Sequence, residues 1–436
     1  MGPTLTPAVN IALVAGLAGD GSWLSFAVAT VGMLFVAANI ASLSRRHTLS
    51  GSYFLYVGRT AGPLAGLVTG WLLVGGYVAS AVAIVLAFLI FLHHFLDAVG
   101  LPEWRPDAAL VTVGLVAVLA AAAWRDVRFS ARLALLLEAG SLLIITAVTT
   151  VAALRTGHLL DRMQLDLARL PIGGVMNSLT FAVLCFVGFE SAATLAGETR
   201  RAARNVPIAI TASTLLAGLF FVAMAYFMVL DFGNDTRAIA ASASPLSEVA
   251  RRAGHAALAG VLYFGALISA SACVLATLVA VSRLMFSMAR YGALPAALAA
   301  VDRRHRIPHA ALGLSAGLVL AVSLSVLPLG VFEAFGAVAA LASLAFVVLY
   351  LIICVAAPLD LKAAGTLRLR HLLVSAGGIL VMGFVAFGSL WPVPPWPQSL
   401  LPWLFAAYGL AGLLWFWRQL RARPQLGRQL QLDLES

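Results

Sequence analysis

Residues 186–190 read FVGFE, an acid set directly after a glycine inside a segment otherwise rich in apolar side chains. An ionisable group at membrane depth is costly to insert and marks a functional site by default. Glu190 therefore has two readings. It takes part in ligand binding or proton coupling, or it holds an interrupted helix together by accepting backbone amides. Glu138 is the only charge in the run 133–154, and pairing with Arg132 or a neighbouring loop is its expected role. Glu333 stands near the start of another apolar run and reads as a cap or vestibule residue. Ser269 and Ser271 could offer hydroxyl oxygens to a sodium ion, although serine also packs well between membrane helices. Cys185, Cys273 and Cys354 lie within apolar runs and form neither a metal-ligand spacing nor a disulfide framework. No HExxH pair, no paired intramembrane aspartates and no phosphate-binding loop motif occur. Intramembrane hydrolysis and ATP-driven transport therefore have no residues to carry them, and no cofactor is implied.

The elements that must position these groups are membrane-spanning helices. The chain has 436 residues, 62% of them hydrophobic and 11% charged, with a mean hydropathy of +0.98. A soluble domain carries about a quarter charged residues. Apolar segments separated by turn signals fall at 4–18, 22–43, 62–95, 107–124, 131–154, 173–196, 207–231, 257–290, 308–328, 331–357, 370–391 and 399–420. Most are near the roughly 20 residues a helix needs to cross the hydrocarbon core, and the first is too short. The expected fold is all-α and polytopic, with about twelve spans.

The net charge of +10 does not point to nucleic acid, because the basic residues cluster at helix ends. Arg45, Arg46, Arg59, Arg125, Arg128, Arg132, Arg200, Arg201 and Arg204 fall on one side of the predicted membrane. Arg283, Arg290, Arg303, Arg304, Arg306, Lys362, Arg368, Arg370, Arg418, Arg421, Arg423 and Arg428 join them. The other side holds only Arg105, Arg155, Arg162, Arg169, Arg237, Arg251 and Arg252. The positive-inside rule then predicts an integral cytoplasmic-membrane protein with both termini cytoplasmic.

The chain opens MGPTLTPAVNIALVAGLAGDG, where Thr6 and Pro7 make a helix start. Residues 2–5 would be extended backbone at mid-depth, tolerated only where protein or a cavity surrounds it. Either the polypeptide starts at a break or an upstream half-helix precedes Met1. The second is the expectation, since an unpaired half-helix leaves a hole in the bundle. Gly188 allows a second break in the sixth span. Two interrupted helices, each opening a set of five, predict an inverted repeat with the substrate near the midplane. The segments 50–62 and 244–254 occupy equivalent places, each reading as small turn residues followed by a short helix. Between the halves, RTGHLLDRMQLDLARLP (155–171) places Leu159, Met163, Leu167 and Leu170 on one helical face and reads as an interfacial amphipathic segment or a tether.

The stretches GSYFLYVGRTAGPLAGLVTGW (51–71) and FVGFESAATLAGETRRAARNVPIAI (186–210) resemble the amino acid–polyamine–organocation transporter family. The resemblance covers nearly the whole chain, from about 4 to 420. It implies a LeuT-type 5+5 inverted repeat followed by two further helices, and transport by alternating access. It also implies that a substrate's carboxylate and amine meet the breaks in helices one and six. Carried onto this sequence, those are Gly2, Pro3, Thr4, Leu5 and Thr6, and Phe186, Val187, Gly188, Phe189 and Glu190. Free amides at the start of the first half-helix suit a carboxylate, and unpaired carbonyls around Val187 and Gly188 suit an ammonium. Where cationic amino acid antiporters of the family place an aromatic gate, this chain has Leu184. Where proton-coupled members place a helix-five lysine, it has Ser141.

The expected function is secondary transport of an amino acid or related organic amine, with a proton or sodium ion as coupling partner or with exchange. The expected partners are that small molecule and the lipid bilayer. A polyamine carrier is the alternative. It should bring several acids to the cavity, and Glu190 is the acid placed for that. The expected organisation is one transporter domain over 1–420, with repeats at 1–154 and 173–357, extra helices at 370–420 and a tail at 421–436.

Overall fold

Long apolar runs free of internal breakers form helices because only a helix satisfies its own backbone in lipid. A computed structural model of the chain describes residues 6–47, 53–125, 127–155, 157, 159–242, 244–252, 258–302, 307–391, 396 and 398–425. Among them are α1 (Ile11–Ala18), α2 (Ser22–Arg46), α3 (Tyr53–Ala61), α4 (Pro63–Ala98), α5 (Ala108–Arg125) and α6 (Val127–Arg155). Next come α7 (Arg162–Leu165), α8 (Ile172–Leu184), α9 (Ala202–Asp231), α10 (Thr236–Ala241), α11 (Pro245–Arg252) and α12 (Leu258–Arg290). The last are α13 (His309–Val326), α14 (Val331–Ala363), α15 (Leu369–Leu390) and α16 (Leu401–Ala422). No strand occurs among the described residues.

Among the described residues ten stretches are long and apolar enough to cross a membrane, and Ala108–Trp124 is a shorter apolar helix. One of the ten, Ile11–Arg46, is divided into α1 and α2 by a 3₁₀ turn at Gly19–Gly21. The twelve expected segments are therefore all present, the first short. Large apolar side chains on the outer faces, such as Leu110, Leu143, Leu216, Leu380 and Trp403, are exposed. Such a surface suits acyl chains rather than water.

Helix α1 packs on α8, α2 on α9, α4 on α12 and α5 on α13. The remaining contacts mirror one another: α6 meets α12 as α14 meets α4, and α6 meets α9 as α14 meets α2. The short α3 lies on α14, and the short α11 lies on α6. Two copies of a five-helix unit related by a pseudo-two-fold axis give this pattern. Between lipid-embedded helices, small residues supply the close contact. A side chain at Gly174 of α8 would put its Cβ 2.1 Å from the Leu17 carbonyl oxygen of α1, so these half-helices touch backbone to backbone. Gly66 of α4 meets Gly58 of α3 in the same way, with 2.6 Å left for a Cβ.

The two final helices sit outside the ten. Helix α15 packs on α14, α2 and α8, and α16 packs on α4 and α14. A reciprocal bond holds α16: Trp71 Nε1 donates to the Tyr408 carbonyl at 3.1 Å, and the Tyr408 hydroxyl donates to the Trp71 carbonyl at 2.8 Å.

The segment between the halves differs from its expected amphipathic form. Its described residues form a single helical turn, α7, with Leu170 buried and Leu159, Met163 and Leu167 exposed. Asp161 caps the start of this turn. One carboxylate oxygen accepts the Met163 amide at 2.9 Å and the other accepts Asn234 Nδ2 at 2.7 Å. Burial pushes the Asp161 carboxyl up, but these donors outweigh it and hold the group below its ordinary value.

Candidate functional site

The first and sixth helices are interrupted, and the interruptions lie side by side. Residues Thr6–Asn10 form a wide π turn ahead of α1 rather than the regular helix start expected at Thr6 and Pro7. Thr6 and Asn10 are buried beside the Cys185 thiol at the end of α8. Thr6 Oγ1 and Asn10 Oδ1 have no hydrogen-bond partner among the described residues. The expected site residues Gly2, Pro3, Thr4 and Leu5 lie outside the described residues.

In helix six the α-helical bonding stops at Leu184. The amides of Phe186, Val187 and Phe189 bond to Val183, Leu184 and Phe186, three residues back, at 3.0–3.3 Å. Gly188 then takes φ 108°, a conformation that β-carbon-bearing residues rarely adopt. The chain resumes as a 3₁₀ stretch at Phe189–Glu198. The Gly188 carbonyl, expected to be unpaired, accepts the Ser191 amide at 3.1 Å. It keeps one lone pair for another donor.

Glu190 is fully buried. Its Oε2 accepts the Gly188 amide at 3.1 Å and the Tyr350 hydroxyl of α14 at 3.0 Å. The carboxyl thus pins the break to the helix that faces it. Oε1 is buried with no hydrogen-bond partner among the described residues. Around this acid run the rings of Phe189, Tyr350, Phe346 and Tyr77, each 5.4–5.9 Å from the next. Tyr53 and Tyr77 also lie within electrostatic reach of Glu190.

A cavity of about 330 Å³ opens beside the break, lined by Tyr77 and Ser80 of α4, Glu138 of α6, Val187, Gly188 and Ser191, and by α12 around Thr277. Ligand pockets begin near 300 Å³. Asn10 lines a much smaller void of about 30 Å³ with Ser80, Leu184 and Phe335.

Of the expected helix-six residues, Val187 and Gly188 face the larger cavity. Phe186 turns away, its ring 5.1 Å from Phe221 of α9. Phe189 and Glu190 face Tyr350. Ser269 donates to Glu138 Oε2 at 2.7 Å, and Ser271 donates to the Leu267 carbonyl of its own helix at 2.8 Å. Glu138 therefore has a partner on α12. Among the described residues no group of three or more His, Cys, Asp or Glu is arranged to hold a metal ion. Tyr350 and Tyr53, two of the tyrosines around Glu190, escape sequence reasoning. A phenol inside an apolar run carries no periodic signal, and only its buried hydroxyl betrays it.

The model of the amino acid permease family matches residues 5–391. An uncharacterized transporter of Mycobacterium tuberculosis is 34% identical over 306 residues, covering 68% of this chain and 64% of the relative. The branched-chain amino acid permease BcaP of Bacillus subtilis is 26% identical, covering 67% of this chain and 65% of the relative. The low-affinity putrescine importer PlaP of Escherichia coli K12 is 25% identical, covering 65% and 62%. The chain thus matches somewhat less than two thirds of the length of these relatives. Apolar helices arranged around paired breaks and a family match over most of the sequence agree: the chain belongs to the amino acid permease family of the amino acid–polyamine–organocation superfamily.

Proposed function

We propose that this protein carries out secondary active transport of an amino acid or related organic amine across the cytoplasmic membrane by alternating access. The observation that carries this reading is the helix-six break. Gly188 sits at φ 108° and opens backbone onto a cavity of about 330 Å³, beside the first-helix turn at Thr6–Asn10. Exposed ends of broken helices hold the substrate in transporters of this plan. On this reading the substrate lies among Gly2, Pro3, Thr4, Leu5 and Thr6 on one side and Phe186, Val187, Gly188, Phe189 and Glu190 on the other. The names of the relatives, an amino acid permease and a putrescine importer, support a ligand bearing an ammonium group.

The same reading makes the repeats 1–154 and 173–357 the moving halves, with 370–420 as added helices and both termini cytoplasmic. Glu190 is the proposed proton-coupling residue. The weaker alternative is a sodium site at Ser269 and Ser271, whose hydroxyls donate to Glu138 and to the Leu267 carbonyl and keep oxygen lone pairs for a cation. The test is uptake of labelled amino acids and amines into proteoliposomes, with proton and sodium gradients imposed separately. Saturable accumulation driven by a proton gradient is expected. Absence of uptake under every gradient overturns the transport reading, and uptake driven only by sodium overturns the assignment of Glu190.

A further inference from the structure

A second, larger cavity of about 720 Å³ lies between α4, α12, α13, α14 and α16. It shares no lining residue with the cavity at the helix-six break. Helices α4 and α16 meet closely at one edge of it, where a Cβ at Gly75 would lie 2.5 Å from the Tyr408 ring. On the Leu401 side of that seam, α16 borders the cavity with Leu404 and Phe405. Helix α13 adds a stripe of Leu314, Leu318, Val322 and Val326, whose four-residue spacing keeps them on one face.

Two lining side chains carry a nitrogen or oxygen, Trp71 and Tyr408, and both are spent on each other's carbonyls at 3.1 and 2.8 Å. Every other described lining residue is aliphatic, Met, Phe, Pro or Gly. A buried water needs two to four polar partners, and a polar ligand needs a few placed groups to orient it. This wall offers neither, so its complement is plain hydrocarbon. Leu314, Leu329 and Leu404 line the cavity and are also exposed on the outer apolar surface, so the cavity is continuous with the face that meets the bilayer. Val74, Met288 and Val338 line it from buried positions. A second copy of the chain, laid against the mouth, would not reach them. A flexible chain would, and its length fits. From Leu314 to Val326 the α13 stripe runs about 18 Å at about 1.5 Å per residue. One leaflet is roughly half of a ~30 Å hydrocarbon core.

We infer that this crevice is a lipid-binding site, holding one acyl chain of a bilayer phospholipid as a resident wedge between α13 and α16. The chain supplies dispersion contacts that no side chain makes there, and it braces α14, the helix that carries Tyr350. The site is independent of the transported substrate.

The experiment reconstitutes the full chain in vesicles of phosphatidylethanolamine and phosphatidylglycerol, with a small share of phosphatidylglycerol carrying a diazirine at the end of one acyl chain. After illumination, peptide mass spectrometry locates the label. Label is expected on the deep wall, at Val74, Met288 or Val338, as well as at the mouth. Ala337→Phe on α14 and Val322→Phe on α13 fill the same space from different helices. Each should lower deep-wall labelling about tenfold while leaving the mouth labelled, since added bulk excludes a competitor for the volume. Label confined to exposed residues such as Leu314 and Leu404 in wild type overturns the inference. So does deep-wall labelling that both filled variants leave unchanged. Cross-links between copies through α13 or α16, with the deep wall unlabelled, assign the face to a dimer and overturn it too. If neither variant folds, wild type decides: after exhaustive detergent exchange, lipid analysis should find phospholipid retained by the purified chain, and its complete loss overturns the inference.

Discussion

Glu190 holds two elements with one oxygen, the amide of Gly188 within the break and the hydroxyl of Tyr350 across from it. The second oxygen is left for a proton or a ligand donor. Glu190→Gln keeps a carbonyl oxygen that can accept both existing bonds, so it separates the titrating role from the structural one. Expression and gel-filtration profile should match wild type while the pH dependence of uptake disappears; a variant with wild-type pH dependence would show that the acid only shapes the break. This much is legible in FVGFE, because an acid beside a glycine breaks an apolar run at a cost that lipid alone would never offset. The second acid is harder to place. Spacing along one helix points Glu138 to Arg132 or a loop, but it cannot say which neighbouring helix a side chain meets, and the partner Ser269 is 131 residues away.

At the scale of elements, the ends of α2, α3 and α14 are tied by a small polar cluster. Arg46 pairs with Asp360 at 2.7 Å, and His47 Nε2 meets the other Asp360 oxygen at 2.9 Å. Arg59 Nη1 lies 2.6 Å from His47 Nδ1. Arginine only donates, so in this contact Nδ1 accepts, and Nε2 is the nitrogen that donates to Asp360. Asp360→Ala removes the common acceptor and leaves a nearly buried imidazole N–H unpaired. The expected cost is about 1–3 kcal/mol, read as a lower midpoint of thermal unfolding in detergent; an unchanged midpoint would show that the cluster is ornamental. No sequence pattern announces this cluster, since Asp360 lies in the tail of an apolar run and its partners are more than 300 residues away. Helix positions, by contrast, follow from apolar run length alone. The exceptions have local features: α7 ends at Asp166, whose carboxylate accepts the Ala168 amide, and buried polar groups at Thr6 and Asn10 accompany the widened first turn.

At the scale of the whole molecule, the mirrored contacts mean that each helix of the first five finds its main partners in the second five. The inverted plan is legible from the two breaks and the matching short helices, which appear as α3 and α11. The pairing of like with like is not, because it depends on closeness across the axis. It has a consequence for biogenesis. At about 5–20 residues per second, translation delivers α9 roughly 10–40 s after α2, and until then the face that meets it must be shielded by lipid or by an assembly factor. Residues 1–170 expressed alone should insert and then be degraded, whereas co-expression with 171–436 should restore both halves; a stable first half on its own would contradict this. For this interval the nascent protein is a set of unpaired surfaces, and its yield depends on what the membrane offers in place of the missing half.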